Sequence, residues 1–441
     1  MKTTYVGLIG FGTIGTGVAR LLVEQQERIS RRCGQEVVLK RIVDTDLKRK
    51  RNVRLPKGIL SNDYHDVLND PEISVVVQLI GGTGIERKIM LEMLGAGKNI
   101  VTANKALLAT FGEEIFEAAR KNRCTVAFEA AVGGGIPIIA SLAESLAANE
   151  IESINAILNG TCNFILSNME ENGSDYAPTL AEAQRLGYAE ANPAMDVDGS
   201  DTTQKLAILS HIAFGVHLDW HDIPKVGIET VAGIDFRYAN VLDYSIKLIA
   251  SAKRIKSTKK GEADKLELSV SPTLVSKKSQ LANVRGPFNA ISVMGDAVDH
   301  SFYYGRGAGE MPTASAVVAD VIDTILGRTK LTFKALNLWN PKTKPADGIT
   351  IADSASVKGR YYLRVNVADG IGVMAEIAKV LGQNGISIAS LIQNEAGEKS
   401  DTVPLIILTH ETTEGAVAAA IQAIATLPCV CGDVVKMRIF E

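Results

Sequence analysis

Three glycines near the start of the chain, Gly10, Gly12 and Gly15 in GFGTIG, have the spacing GxGxxG. They follow the apolar run Tyr5 to Ile9 and precede a helical pattern opening near Thr13. In that setting the first glycine permits a tight turn, the second lets the backbone approach a pyrophosphate, and the third lets helix and strand pack closely. Free N–H groups and the positive dipole end of the helix then attract phosphate. The chemistry expected is dinucleotide binding by Gly10, Phe11, Gly12, Thr13, Ile14 and Gly15. An ordinary turn is the plainer alternative, and the strand–turn–helix context argues against it.

The second strand ends at Asp44, and Thr45, Asp46 and the run Lys48, Arg49, Lys50, Arg51 follow. An acid at a strand tip holds the ribose 2′-OH of NAD, whereas basic side chains accommodate the 2′-phosphate of NADP. The two features pull in opposite directions, and a solvated loop of mixed charge is a third option. The reading leans to NADP, with use of NAD left open.

A second dense stretch is Leu186 to Leu209, LGYAEANPAMDVDGSDTTQKLAIL, which holds Glu190, Asp196, Asp198, Asp201 and Lys205. Asp201 and Lys205 are four apart at the start of an amphipathic helix and so share a face, with Ser200 or Asp198 placed to cap it. Taken alone, this is a capping acid and an exposed ion pair worth roughly a few tenths of a kcal/mol.

The elements that must position these residues follow from periodicity. Up to about residue 130, the apolar runs YVGLIG, VVLKRIV, ISVVVQLI, KNIVTA and TVAFEA alternate with amphipathic stretches such as Gly17 to Ile29 and Ile85 to Ala96. That alternation predicts an α/β fold, a Rossmann-type doubly wound parallel sheet over 1–130. A helix at about 310–330, opening at Pro312, is assigned to the same domain.

Residues 131–315 read as a separate α+β domain, the one assigned to substrate binding and dimerisation by the family resemblance given below, with helical patterns at Ile136 to Ala147 and Thr202 to Phe214 and strands at Leu266 to Val270 and Asn289 to Met294. The basic run Ala252 to Lys260 reads as a solvated loop before a hairpin. Residues 331–359, including NPKTK from Asn340, read as a linker. From about 360 to 441 the order strand, helix, strand, strand, helix, strand predicts a βαββαβ domain, a split-βαβ sandwich.

The bulk numbers restrict the class of partner. The 441 residues are 46% hydrophobic and 22% charged, a globular composition sufficient for two or three cores. A formal net charge of -3 gives no field that favours nucleic acid or an anionic membrane, so a small molecule is the expected partner. Five scattered cysteines, among them the Cys429/Cys431 pair, are not a disulfide framework. They read as small residues of a reducing, cytoplasmic compartment. The N-terminus shows no signal-peptide pattern, and the uncharged stretches Ala130 to Ala143 and Gly415 to Gly432 are broken by glycine or proline, so no membrane span is expected.

Several separated segments together resemble the homoserine dehydrogenase family along essentially the whole chain. Besides the glycine turn they are LIGG (Leu79 to Gly82), TANKALL (Thr102 to Leu108), EAAVGGGIPI (Glu129 to Ile138), NGTCNFIL (Asn159 to Leu166), Glu190 to Lys205, and GAGEMPTASAVVAD (Gly307 to Asp320). The C-terminal ADGIGVMAEIAKVL and NGISI resemble the ACT regulatory domain. With no aspartate-kinase segment before the glycine turn, the chain resembles the monofunctional form.

The resemblance implies reversible, NAD(P)H-dependent reduction of aspartate 4-semialdehyde to homoserine, on the way to threonine, methionine and isoleucine. Hydride reaching an aldehyde carbon leaves charge on the oxygen, so an ammonium that stabilises and protonates it is needed. By motif position that is Lys205, with Lys105 the second active-site lysine, touching cofactor and substrate. Glu190 and Asp201 match the substrate-binding acids, suited to an α-ammonium group, and Asp196 supports a lysine. Gly187 and Gly309 match positions beside the cofactor. Backbone carbonyls of Glu129, Val132, Gly134 and Ile136 match a monovalent cation site, Na+ or K+, although the three glycines there also suit a plain flexible turn. A threonine effector at the ACT-like domain and a homodimer or homotetramer are implied as well. The chain departs from many relatives at Asn192, where an acid is common.

Two rival readings remain. A phosphorylating semialdehyde dehydrogenase would need a thiolate, and Cys162 in NGTCN has no histidine near it in sequence. A non-enzymatic amino-acid or redox sensor would leave the acids and lysine of Leu186 to Leu209 unexplained.

Overall fold

The computed structural model describes residues 2–259, 261–340, 348–394 and 402–441. The chain divides into two units, one of Met1–Ser153, Thr203–Asp222 and Asn289–Ile349, the other of Ile154–Thr202, Ile223–Phe288 and Thr350–Glu441.

In the first unit, the continuous apolar character of Val6 to Ile9 suits a strand covered on both faces. It forms the centre of a sheet. Strands β1 (Thr3–Ile9), β2 (Glu36–Val43), β3 (Leu60–Ser61), β4 (Ile73–Gln78), β5 (Asn99–Thr102) and β6 (Val126–Ala127) lie in the order β3-β2-β1-β4-β5-β6, and every pairing is parallel. This is the doubly wound arrangement that the strand–helix alternation predicts, and its strand order reverses beside β1, where ligands bind such sheets. The amphipathic stretch expected over Gly17 to Ile29 is broken at Gln25 into helices Thr13–Glu24 and Gln26–Cys33.

A late segment completes the core of this sheet. Helix Glu310–Leu326 sends Ala314, Val317 and Val321 into the same cluster as Val6, Leu8, Val18 and Leu22. A Cβ on Gly17 would stand 2.9 Å from the Ala314 methyl, so the two helices meet backbone to backbone and only glycine fits. The helix opens at Glu310, two residues before the expected proline.

In the second unit, strands Tyr244–Ile255 and Lys265–Ser276 pair antiparallel along their full length. The basic run Ala252 to Lys260 therefore begins inside a strand and not in a loop. Arg254 is buried there, 3.7 Å from Asp264, because alternation turns it inward (Lys260 lies outside the described residues).

The C-terminal βαββαβ forms as its periodicity predicts: strand Lys358–Ala368, helix Val373–Gln383, strands Ile388–Gln393 and Thr402–Thr409, helix Glu414–Ala425 and strand Val435–Phe440. Tyr361, Leu363, Val365, Ile377, Leu405, Ile407, Val417 and Ile424 make its core. Its sheet is not isolated. The last strand pairs parallel with Lys265–Ser276, Arg438 opposite Thr273 and Phe440 opposite Val275, so one sheet runs from the hairpin into the C-terminal domain. Two ion pairs accompany this junction, the half-buried Arg438 with buried Glu267 at 2.6 Å and the buried pair of Arg364 with Asp235 at 2.7 Å.

Of the segment read as a linker, helix Arg328–Leu336 runs into its start, and Thr350–Ile351 near its end pairs with Lys265 and Leu266. Residues 341–344 of NPKTK lie outside the described residues.

Candidate active site

The glycine turn of the first unit has the geometry its spacing calls for. Gly10 sits at φ +100°, and a Cβ there would lie 2.9 Å from the Leu79 carbonyl carbon. A Cβ on Gly15 would meet the Gly10 oxygen at 2.1 Å, so the first helical turn rests on the strand end. Nothing stands within 4 Å of the Cβ position of Gly12. The turn is thus packed on two sides and open on the third, as a pyrophosphate at the start of helix Thr13–Glu24 requires.

Asp44 and Arg51, which argue for different cofactors in the sequence, are tied into one cluster. The Phe11 N–H donates to Asp44 Oδ2 at 2.6 Å, the Asp46 N–H donates to Oδ1 at 2.8 Å, and Arg51 lies 3.3 Å from Oδ1. Arg51 Nε donates to the Phe11 carbonyl at 2.6 Å, with its guanidinium 4.4 Å from the centre of the Phe11 ring. Lys48, Arg49 and Lys50 are exposed beside it.

Lys105 is the first residue of helix Lys105–Lys121. A cation in the first turn opposes the helix dipole, a local cost of the kind found where a residue serves function. Its neighbour Asn104 anchors it. The Asn104 side chain accepts from the Leu107 N–H at 3.0 Å as a cap, and its Nδ2 donates to the carbonyls of Ile80 and Gly82 at 3.0 and 2.7 Å. The LIGG and TANK motifs are joined by that amide. Gly309, at φ +120°, leads into helix Glu310–Leu326.

After β6 the chain turns through Glu129–Ala131 and then Gly133 and Gly134, both at positive φ. A Cβ on Gly134 would reach the Gly307 carbonyl oxygen at 2.3 Å, and the Gly135 N–H donates to the Arg306 carbonyl at 3.0 Å. These glycines permit a tight approach of two backbones, which a merely flexible turn does not need. Val132 and Ile136 are buried in the same loop. The buried Glu129 carboxylate accepts from the N–H groups of Ile139 and Ala140 at 2.9 and 2.8 Å, yet burial pushes its pKa up to about 7. These bonds cap the start of the expected Ile136 to Ala147 helix, which forms as a short α turn, Ile138–Ala140, followed by a π turn, Ser141–Ser145.

In the second unit the acidic stretch is gripped by the start of helix Gly160–Asn172. Asn159 Nδ2 donates to Asp196 Oδ1 and to Asp201 Oδ2, each at 2.8 Å. Thr161 Oγ1 donates to the Tyr188 carbonyl at 2.7 Å, and the buried Cys162 thiol donates to the Asp196 carbonyl at 3.2 Å. Asp201 is buried in the first turn of helix Ser200–Phe214, where Lys205 follows one turn on. Asp198 caps this helix, accepting from the Ser200 N–H at 2.7 Å and pairing with Lys225 at 3.0 Å. Glu190 and Gly187 lie on an exposed turn and are not part of the Asn159 cluster. Asn159 is the residue that sequence reasoning missed. An asparagine before a helix reads as a cap, and nothing local shows where its other amide edge points.

Comparison with known proteins agrees with this geometry. The homoserine dehydrogenase NAD-binding domain family matches residues 10–129, the homoserine dehydrogenase family 137–322 and the ACT domain 361–428. A homoserine dehydrogenase of Neisseria gonorrhoeae is 42% identical, covering 99% of both chains, and one of Pseudomonas aeruginosa is 42% identical, covering 100% of this chain and 99% of the relative. The crystal structure of a homoserine dehydrogenase from Thiobacillus denitrificans superposes with a TM-score of 0.89 at 41% identity, covering 100% of this chain and 99% of that one. With a nucleotide turn open at Gly12, an acid stretch clamped by the NGTC motif and a C-terminal ACT domain, the chain belongs to the homoserine dehydrogenase family, NAD(P)-dependent oxidoreductases that interconvert aspartate 4-semialdehyde and homoserine.

Proposed function

We propose that Lys205 is the proton donor of this reaction and that Glu190 and Asp201 hold the substrate α-ammonium group, with Asp196 supporting the arrangement. The observation that carries this is the gathering of Asp196 and Asp201 on one amide at the start of the helix that bears Lys205. The nicotinamide, when bound, supplies or takes the hydride. As charge grows on the aldehyde oxygen, the Lys205 ammonium stabilises it and delivers a proton, a contact stronger in the transition state than before it. Lys105 lies against cofactor and substrate. The pyrophosphate rests on Gly10, Phe11, Gly12, Thr13, Ile14 and Gly15, with Gly187 and Gly309 beside the cofactor.

NADP is the preferred cofactor in this reading. Arg51 neutralises Asp44, whose oxygens already accept from Phe11 and Asp46, while Lys48, Arg49 and Lys50 remain exposed for a 2′-phosphate. The backbone carbonyls of Glu129, Val132, Gly134 and Ile136 hold a monovalent cation, supported by the left-handed Gly133–Gly134 pair. The ACT domain takes threonine as effector, the enzyme is a cytoplasmic homodimer or homotetramer, and no described helix is long and apolar enough to cross a membrane.

Steady-state oxidation of homoserine with each cofactor tests the reading. A lower KM for NADP than for NAD, and a raised homoserine KM but unchanged cofactor KM in Glu190→Gln, are expected. An unchanged homoserine KM removes Glu190 from the site. Loss of rate on exchanging Na+ or K+ for a bulky organic cation tests the carbonyl site, and threonine titration of the intact enzyme tests the effector.

A further inference from the structure

Trp339 stands in the left-handed region of the backbone, at φ +47°, which a bulky side chain adopts only where its surroundings hold it there. Those surroundings come from two helices. Arg120 of helix Lys105–Lys121 donates through Nη1 to the Leu338 carbonyl at 2.6 Å and through Nη2 to the Trp339 carbonyl at 3.1 Å. His211 of helix Ser200–Phe214 turns Nδ1 to the Val216 carbonyl at 3.0 Å, which places its proton there, and Nε2 accepts from the Trp339 N–H at 2.8 Å. Burial pushes the His211 pKa down to about 4, so the ring keeps this neutral form at ordinary pH.

The indole completes the junction. Its centre lies 4.1 Å from that of the His211 ring, stacked at 27°, and 4.6 Å from that of Phe116. It rests on Gly112, where a Cβ would meet indole Nε1 at 2.5 Å. Helix Lys105–Lys121 bends at Phe111 (φ −125°, ψ 20°), directly before that contact. The bend sets the direction of the turns that begin at Lys105, and His211 lies less than two turns beyond Lys205. One side chain thus packs on both lysine-bearing helices, and all of these residues belong to the first unit. We infer that Trp339 is a positioning residue for the reaction: its indole, seated between Gly112 and His211, sets the spacing of the helices that present Lys105 and Lys205. The inference rests on the assignment of those lysines to the active site.

Three substitutions separate this role from simple packing. Trp339→Leu empties the space between the helices, Gly112→Ala expels the indole while giving the helix a residue it favours, and Trp339→Phe keeps an aromatic ring in place. A misplacement of about 1 Å at a reacting group costs about 10²-fold in rate. The expected result is kcat for homoserine oxidation lowered about ten- to hundredfold in Trp339→Leu and Gly112→Ala, the NADP dissociation constant within about twofold of the parent, and kcat largely restored in Trp339→Phe. Rates are taken per folded enzyme well below each thermal midpoint, where loss of packing alone leaves kcat parental. Gly112→Ala carries the test if Trp339→Leu does not fold. Parental kcat in either folded variant overturns the inference. Lys105→Ala and Lys205→Ala are measured alongside. If neither lowers kcat, the lysine assignment itself fails. If both lower it while the Trp339 and Gly112 variants turn over as the parent does, only the positioning role fails.

Discussion

Asp201 and Asp235 are both buried aspartates of the second unit, and different donors from distant segments reach them. Asp235 is fully buried at the start of helix Gly233–Val241, where it accepts from Arg364 Nε at 2.7 Å and Nη2 at 3.2 Å, from the Tyr362 hydroxyl at 2.8 Å and from the Ala232 N–H at 2.9 Å. Burial, with the carboxylate beside it, pushes the Tyr362 pKa far up and keeps the phenol a donor. Every member of that cluster is satisfied by another and the charge is cancelled. Asp201 shares a neutral amide with a second carboxylate. The first cluster fastens the ACT strand Lys358–Ala368 to the helix by an arginine and a phenol, whereas the second ties the start of helix Ser200–Phe214 to the acidic stretch through one amide. Burial alone does not say what an aspartate does; the donors that reach it from other segments do.

Substitutions on each side can break this contrast. The largest expected effect lies beyond Asp201 on its own helix: Lys205→Ala loses about 10²–10⁴ in kcat with cofactor affinity nearly unchanged. Stopped-flow and equilibrium cofactor titration check it, and an equal loss of cofactor binding removes Lys205 from the proton step. Next is Arg364→Leu, which leaves Asp235 buried without its cation and costs about 3–5 kcal/mol of stability, with kcat near parental well below the melting range. Chemical denaturation measures this. Were activity lost at full stability, the Asp235 cluster would not be a simple joint.

Lys247 sharpens the contrast from the side of the cation. It is fully buried and donates to the Val284 carbonyl at 2.7 Å, and burial lowers its pKa from 10.5 to about 8. Below pH 8 both folded and unfolded chains carry the proton. Between pH 8 and 10.5 the unfolded chain holds more of it, so stability rises with pH across that window, by about 3 kcal/mol at most. Lys247→Met flattens that slope in denaturation curves taken from pH 7.5 to 10.5; an unchanged slope places the titration elsewhere. The smallest effect is expected at Cys162, whose buried thiol is bonded to the Asp196 carbonyl. Cys162→Ser keeps turnover within roughly twofold, with no need for phosphate, as a donor swap at one neutral hydrogen bond should.

Much of the fold was legible because its signals are local. Alternating runs place β1, β2, β4 and β5, the GxGxxG spacing places the cofactor turn, and the βαββαβ order is written in the periodicities after Arg360. The basic run after Ala252 misled because a strand that turns Arg254 inward to Asp264 has the same composition as a charged loop. In the candidate site, spacing and motif single out Asp196, Asp201 and Lys205, but they do not show that Asn159 joins the two acids, because its partners lie 37 and 42 residues away.

By itself the sequence determined the kinds of element, the glycines that a nucleotide turn demands and the set of acids and lysines available for chemistry. Each of these depends on neighbours within a few residues, through dihedral limits and helix or strand period. Tertiary structure alone decided that Arg51 closes on Asp44, that Gly17 admits a helix from residue 310 onward, that the last strand joins Lys265–Ser276, and that one amide spans two carboxylates. Those pairings set charge compensation and sheet continuity, and they depend on which distant segments share a buried space, which no local period encodes.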